Sequence, residues 1–286
     1  MTTAIVTDSN SGITPEEAET LGIRVLPMPI IIDGSTYYEN ENITAEEFFA
    51  AMEQDRDIST SQPTPGAVLE VWKDALKEAD EVVYIPMSSG LSGSCQSAIM
   101  LAQEFDKKVQ IADNGRISVN LYQSVFRAVS LAKTGMPARE IRRQLEKEGP
   151  ESTIYLTVET LKYFRKSGRV TPAAAALGDL LNIKPVLCTK GGKFDVQSNV
   201  HGMLKAKKTM LNQIANDRGS LLRSLPDDQI MIGCASTFLD EADAQKWQEL
   251  VAKTFPEYET FYLPLSLSIA CHTGPNACGL GIFRKP

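Results

Sequence analysis

The segment Val82-Val-Tyr-Ile85-Pro-Met87-Ser-Ser-Gly-Leu-Ser-Gly-Ser94-Cys95, running on to Phe105, decides the fold. Residues 82–85 are apolar and read as a buried strand, 88–94 as a loop and 95–105 as a helix. The same unit repeats on either side. Upstream, 3–7 reads as a short buried strand ending in the loop Asp8-Ser9-Asn10-Ser11-Gly12, and Thr14-Pro15-Glu16-Glu17 carries a helix N-cap, a first-turn proline and a capping-box Glu. Residues 23–32 read as an extended segment that Pro27 and Pro29 make an edge or irregular strand. Thr44 with Glu47 repeats the capping box, and Thr64-Pro65 opens a helix striped by Val68, Val71, Trp72, Ala75 and Leu76. Downstream come a strand at 109–112 and helices at 117–133 and 138–147. Strands alternating with helices predict a mostly parallel sheet covered on both faces, a three-layer arrangement.

Gly149-Pro150 punctuates the chain. The expected division is an N-terminal α/β domain over 1–150 and a C-terminal α/β domain over 151–286. Beyond the boundary the pattern changes to strand 154–158, a hairpin of 183–189 and 194–197 around Lys190-Gly-Gly-Lys193, helix 202–216, strand 230–235, helix 239–253 and strand 259–263. This predicts a mixed sheet with antiparallel pairing.

Composition bounds the chemistry. The chain has 286 residues, 43% hydrophobic and 23% charged, enough for a sizeable core without staples. Its formal net charge is −7, and its densest cationic run, Lys205-Ala-Lys207-Lys208, is short, which disfavours nucleic acid. The five cysteines (95, 188, 234, 271 and 278) form no C-x-x-C, so neither a disulfide framework nor a thiolate metal site is expected. No basic leader and no long apolar run is present, and the expected location is the cytoplasm.

Residues 88–94 supply four serines and two glycines between a strand and a helix N-terminus, where unpaired N–H groups and partial positive charge favour an anion. No Gly-Lys-Ser/Thr loop and no G-x-G-x-x-G follows a strand, so nucleotide cofactors are disfavoured and none is expected. Gly90-Leu91-Ser92-Gly93-Ser94 misses the hydrolase elbow G-x-S-x-G at its last position. Thr60-Ser61-Gln62-Pro63-Thr64-Pro65 is a second hydroxyl-rich turn leading into a helix. Only two histidines occur. His201 heads a helix and reads as structural or solvated. His272 lies beside the Gly274-Pro275 turn, where a ring N–H can donate to an anion. Arg169, after Lys166-Ser-Gly168, reads either as a carboxylate or partner contact or as part of a cationic helix end capped by Gly168. Thr171-Pro172 opens the next helix.

Taken in order, Ile5-Val-Thr-Asp-Ser9, Thr60-Ser-Gln-Pro63, Ser88-Ser-Gly-Leu-Ser-Gly-Ser94, Lys166-Ser-Gly-Arg169, Ile183-Lys-Pro185 and His272-Thr-Gly-Pro275 resemble the DegV family of bacterial fatty-acid-binding proteins. The resemblance spans nearly the whole chain. It implies one long-chain fatty acid held between or beneath two α/β domains. Its carboxylate would lie at Thr60, Ser61, Ser92, Gly93 and His272, with Arg169 at the headgroup or a partner. It also implies a carrier without catalysis of its own, serving a separate ATP-binding fatty acid kinase that makes acyl phosphate for phospholipid metabolism. Loading at a bilayer requires transient membrane contact. Two departures stand out: where the family commonly continues H-x-G-P-G-A-x-G this chain reads His272-Thr-Gly-Pro-Asn276-Ala-Cys278-Gly, with Asn276 in place of Gly, and Ser94-Cys95 stands where Thr or Tyr is frequent. Two other functions remain open at this level, a hydrolase using Ser92 as nucleophile with His272 as base, and a regulator that binds a small carboxylate.

Overall fold

The computed structural model describes residues 2–177 and 182–286. In chain order, β1 (Thr3–Asp8), α1 (Pro15–Leu21) and β2 (Arg24–Leu26) precede β3 (Ile30–Ile32), β4 (Ser35–Tyr37), α2 (Ala45–Glu53) and β5 (Ile58–Thr60). Then come α3 (Pro65–Ala75), β6 (Glu81–Ile85), α4 (Ser94–Leu101), β7 (Val109–Ile111), α5 (Ser118–Lys133) and α6 (Ala138–Glu148). The remainder runs β8 (Ser152–Thr157), α7 (Lys162–Ser167), α8 (Pro172–Ala175), β9 (Ile183–Thr189), β10 (Asp195–His201) and α9 (Met203–Ser220). It ends with β11 (Ile230–Ser236), α10 (Glu241–Thr254), β12 (Glu259–Pro264), α11 (Leu267–Thr273) and β13 (Cys278–Arg284). Thr14 and Thr44 each close a capping box, as their spacing predicts.

The first sheet has the order β2-β1-β6-β7 with every pairing parallel. Period-two alternation in β6 sorts its side chains to two cores. Val83 and Ile85 join a core with Val125 and Ile141 of α5 and α6, whereas Val82 and Tyr84 join Trp72 and Cys95 of α3 and α4. These are the three layers expected from the sequence. The second sheet has the order β10-β9-β8-β13-β11-β12 and is mixed: only β11 and β12 pair in parallel. One face packs on α9 and α10 through Met210, Ile214, Trp247 and Val251, and the other on α5. Helix α5 is thus shared between the two sheets.

Two glycines, paired in register across β11 and β13, admit that helix. A Cβ on Gly281 would lie 2.1 Å from Asn120 Oδ1, and one on Gly233 would lie 2.7 Å from Val119 Cβ. Asn120 exploits the close approach by donating from Nδ2 to Thr153 O at 3.1 Å.

The structure departs from the sequence reading in four places. The extended segment 23–32 is broken at its prolines: β2 joins the parallel sheet, while β3 joins a small antiparallel sheet of order β4-β3-β5. Helix α11 is a second unexpected element. It packs Leu267, Ala270 and Cys271 against Ile30, Ile32, Phe48 and Phe49 of the small sheet and α2. Glu39 Oε2 accepts from Leu267 N at 3.0 Å, tying the first turn of α11 to the N-terminal half. The third is β13, the central strand between β8 and β11, whose two glycines blur its apolar run. His201 does not head a helix. It ends β10 and is exposed. Among the described residues, no helix is long and apolar enough to cross a membrane.

The tight seat of α5 makes a direct prediction. Gly281→Ala should destabilise the protein by ~1–3 kcal/mol through overpacking, whereas Gly219→Ala, with open space around its Cβ, should be neutral or mildly stabilising. Denaturant melts of both variants check this, and an unaltered Gly281→Ala midpoint would contradict the account.

Candidate functional site

The serine-rich turn between β6 and α4 divides its hydroxyls between scaffold and cavity. Ser88 N donates to Arg116 O at 2.9 Å, and Ser88 Oγ donates to Gly191 O at 2.5 Å. Gly90 is required at this crossing, because a Cβ there would lie 2.2 Å from Gly191 O. That glycine therefore admits the β9–β10 hairpin tip rather than a ligand. Ser92 faces the other way. Its Oγ accepts from Ser94 N at 3.2 Å, which leaves its own proton free to donate into the cavity it lines with Gly93.

Thr60 ends β5, and its turn is pinned by Ser61 N donating to Pro29 O at 3.2 Å. Ser61 Oγ donates to Gln62 O at 3.1 Å. Ser97 Oγ of α4 donates to Gln62 Oε1 at 3.0 Å, which locks the two hydroxyl-rich turns together.

His272 lies on α11, and its Nε2 meets Thr60 Oγ1 at 3.0 Å, bridging residues far apart in sequence. Its Nδ1 is buried without a partner among the described residues. The tautomer carrying the proton on Nε2 leaves Nδ1 as a bare acceptor and avoids the costlier orphan, a buried N–H. In that state the ring donates to Thr60, and Thr60 turns its proton outward. Burial, and secondarily the Arg169 charge, hold the ring pKa down at about 4. Arg169 follows α7, whose left-handed cap is Gly168, and its guanidinium donates to Ser167 O while lining the cavity.

Thr60, Ser61, Ser92, Gly93, Arg169 and His272 all line one cavity of about 180 Å³. Its apolar wall includes Met87, Leu91, Ile154, Leu156, Phe164 and Phe194, drawn from both halves of the chain. Sequence reading missed three buried polar residues on the same wall, Asn10, Ser118 and Ser268. Asn10 lay in a loop already noted after β1. Ser118 carried no motif, and Ser268 belonged to an element not anticipated. A larger open depression of about 730 Å³ is lined by Asp113, Arg116, Lys190 and Asp217 among others and includes none of the six. No group of residues suited to a metal ion occurs among the described residues.

Protonation near the cavity sets a pH dependence with a definite sign. His272 titrates near 6.5 when unfolded and near 4 when folded, so the unfolded chain binds more protons between those values. This contribution to stability is present above about pH 6.5 and lost as pH falls towards 4. Asp8, pushed up from 3.8 to about 6 by burial, acts with the opposite sign, losing stability as pH rises through its window. Comparing wild type with His272→Gln isolates the histidine. Between about pH 6.5 and 4 the wild type should lose stability relative to the variant, and parallel curves would contradict a buried neutral ring.

The sequence and the architecture have close parallels among known proteins. The family profile described as "Uncharacterised protein, DegV family" matches residues 2–285. A DegV domain-containing protein of Deinococcus radiodurans is 37% identical over 207 residues, covering 72% of this chain and 74% of its own. The solved structure of a DegV family protein from Thermus thermophilus, reported for its fatty acid binding, superposes with a TM-score of 0.88 at 31% identity, covering 99% of this chain and 100% of that one. A fatty acid binding DegV family protein from Streptococcus agalactiae superposes with a TM-score of 0.87 at 25% identity over the full length of both chains. This chain belongs to the DegV family.

Proposed function

We propose that the protein binds one long-chain fatty acid, with the acyl chain between the 1–150 and 151–286 units and the carboxylate at Thr60, Ser61, Ser92, Gly93 and His272. The observation that carries this reading is the convergence of both hydroxyl-rich turns and His272 on one apolar cavity. Burying about fifteen methylenes at ~0.8 kcal/mol each contributes roughly 12 kcal/mol before the costs of association. A carboxylate taken from water then needs donors. Ser92 offers its hydroxyl and the start of α4 its N–H groups, while Thr60 offers a proton oriented by His272. The solved fatty-acid-binding relatives from Thermus thermophilus and Streptococcus agalactiae support the ligand class.

The carrier acts in the cytoplasm, loads by transient contact with a membrane surface, and presents the acid to a separate ATP-binding kinase that forms acyl phosphate. Arg169 serves the headgroup or that partner. The geometry favours carrier over hydrolase. His272 Nε2 is engaged with Thr60 rather than Ser92, and no carboxylate orients its Nδ1 among the described residues.

Native mass spectrometry of protein purified from cells should find one fatty acid per chain. Ser92→Ala and His272→Ala should each weaken binding about ten- to a hundredfold, the value of one hydrogen bond to a charged group, while His201→Ala should not. With a cognate kinase and ATP the bound acid should become acyl phosphate, and Arg169→Ala should slow that turnover more than it lowers stability. Protein that carries no lipid and takes up none when offered would overturn the reading.

A further inference from the structure

The cavity has two groups of polar residues that differ in exposure. Thr60, Ser92, Arg169 and His272 are half-buried, while Asn10, Ser118 and Ser268 are only 2%, 6% and 4% exposed. Two of the buried three are satisfied within the protein. Ser268 Oγ donates to Asn10 Oδ1 at 2.7 Å, and Asn10 Nδ2 donates to Asp8 Oδ1 at 2.9 Å.

Ser118 differs. Its side chain has no hydrogen bond among the described residues, although it lines the cavity and is almost fully buried. It is also the first residue of α5, a helix of 16 residues that starts with no side-chain cap. The first N–H groups of a helix lack intrahelical partners and carry partial positive charge. An unspent hydroxyl therefore stands in the wall of a mainly apolar cavity, at the start of a helix with no side-chain cap. A plain alkyl chain pressed against it would leave this donor dry, which is costly, whereas an oxygen acceptor would satisfy it.

The acceptor is neutral. Asp8, fully buried, lies immediately behind Asn10, bonded to Asn10 N at 3.0 Å and Met87 N at 2.8 Å, with no cation among its hydrogen-bond partners. An anion brought against Asn10, whose turn packs on α5, would face that carboxyl group across one side chain. A hydroxyl or oxo group accepts the same hydrogen bonds without repulsion.

We infer that Ser118 and the open N-terminus of α5 recognise a hydroxyl or oxo oxygen on the acyl chain, so that the preferred ligand is an oxygenated long-chain fatty acid. This rests on the fatty-acid reading above and adds a second recognition point distant from the carboxylate residues in sequence.

The test compares delipidated wild-type protein binding palmitate, a series of hydroxypalmitates with the hydroxyl at successive carbons, and hexadecanedioate, by calorimetry. One or more hydroxypalmitates should bind about tenfold tighter than palmitate, and Ser118→Gly should abolish that advantage while leaving palmitate within about twofold. Glycine is the apt replacement because Ser118 has a φ of 53°, in the left-handed region. Ser118→Ala should give the same loss of advantage. Hydroxypalmitates no tighter than palmitate would overturn the inference. So would an advantage that survives both substitutions, or hexadecanedioate as the tightest ligand. Palmitate binding in any of those cases leaves the fatty-acid reading standing, whereas binding of none of these acids overturns that reading and the inference together.

Discussion

Helix α5 must lie against two sheets at once, and the rest of the molecule is arranged around that demand. A helix between sheets normally presents one face to each and needs small residues where the backbone comes close. Here the closeness falls on one side, at the register pair Gly233 and Gly281. Val119 and Asn120, in the first turn, enter that gap. Their position fixes Ile117 and Ser118 immediately before them, and both line the cavity. Arg116, one step earlier, is buried and spends its guanidinium on Gln123 Oε1 at 2.7 Å, Ser124 Oγ at 3.0 Å and Glu148 O at 2.6 Å. Burial lowers its pKa to about 10, which still leaves it charged at neutral pH. The start of α5 is thus anchored by an arginine clamp and a glycine seat.

A second seam depends on backbone meeting backbone. The β9–β10 hairpin tip reaches across to the serine turn, where Gly90 and Gly191 cross, and a Cβ on Gly115 would lie 3.2 Å from Gly191 Cα. Beyond the tip, Phe194 donates its N–H to Arg169 O at 3.0 Å, and both residues line the cavity. The contact at Ser88 therefore holds the loop that presents Ser92 and also braces the strand that brings Phe194 into the wall. A side chain at Gly90 would disturb both, even though Gly90 is absent from the cavity lining.

Much of this was legible in the sequence, for identifiable reasons. The parallel sheet was readable because β1 and β6 are short apolar runs, each followed by a polar loop and a helix, the first of them capped by Thr14, all local signals. Thr60, Ser61, Ser92, Gly93, Arg169 and His272 were each singled out from a motif, and the cavity they share was not readable, because the Thr60–His272 bond joins residues 212 positions apart. Helix α11 escaped because Leu267–Thr273 is short and almost wholly buried, so it has no polar face to generate a period. The small sheet escaped because three-residue strands are too short to alternate measurably. Ser118 escaped because its significance is the lack of a partner, which only packing reveals.

The distribution of exposure also orients the proposed ligand. Ser61, Gln62 and Gly93 are exposed, and Ser92, Arg169 and His272 are half-buried, while the apolar wall is buried almost throughout. An acid entering chain first therefore leaves its carboxylate where solvent and a partner reach it. A carrier meant only to sequester lipid has no need of that arrangement, because a deeper site would hold the headgroup with less competition from water. A carrier that hands the carboxylate to another enzyme requires it. The neutral state of His272 fits the same logic. A charged imidazolium would strengthen the grip on the carboxylate and withdraw electron density from the oxygen that, in the proposed kinase reaction, would attack a phosphoryl group. A neutral ring acting through the Thr60 hydroxyl would hold the proposed headgroup with hydrogen bonds and leave its negative charge largely available to the proposed partner.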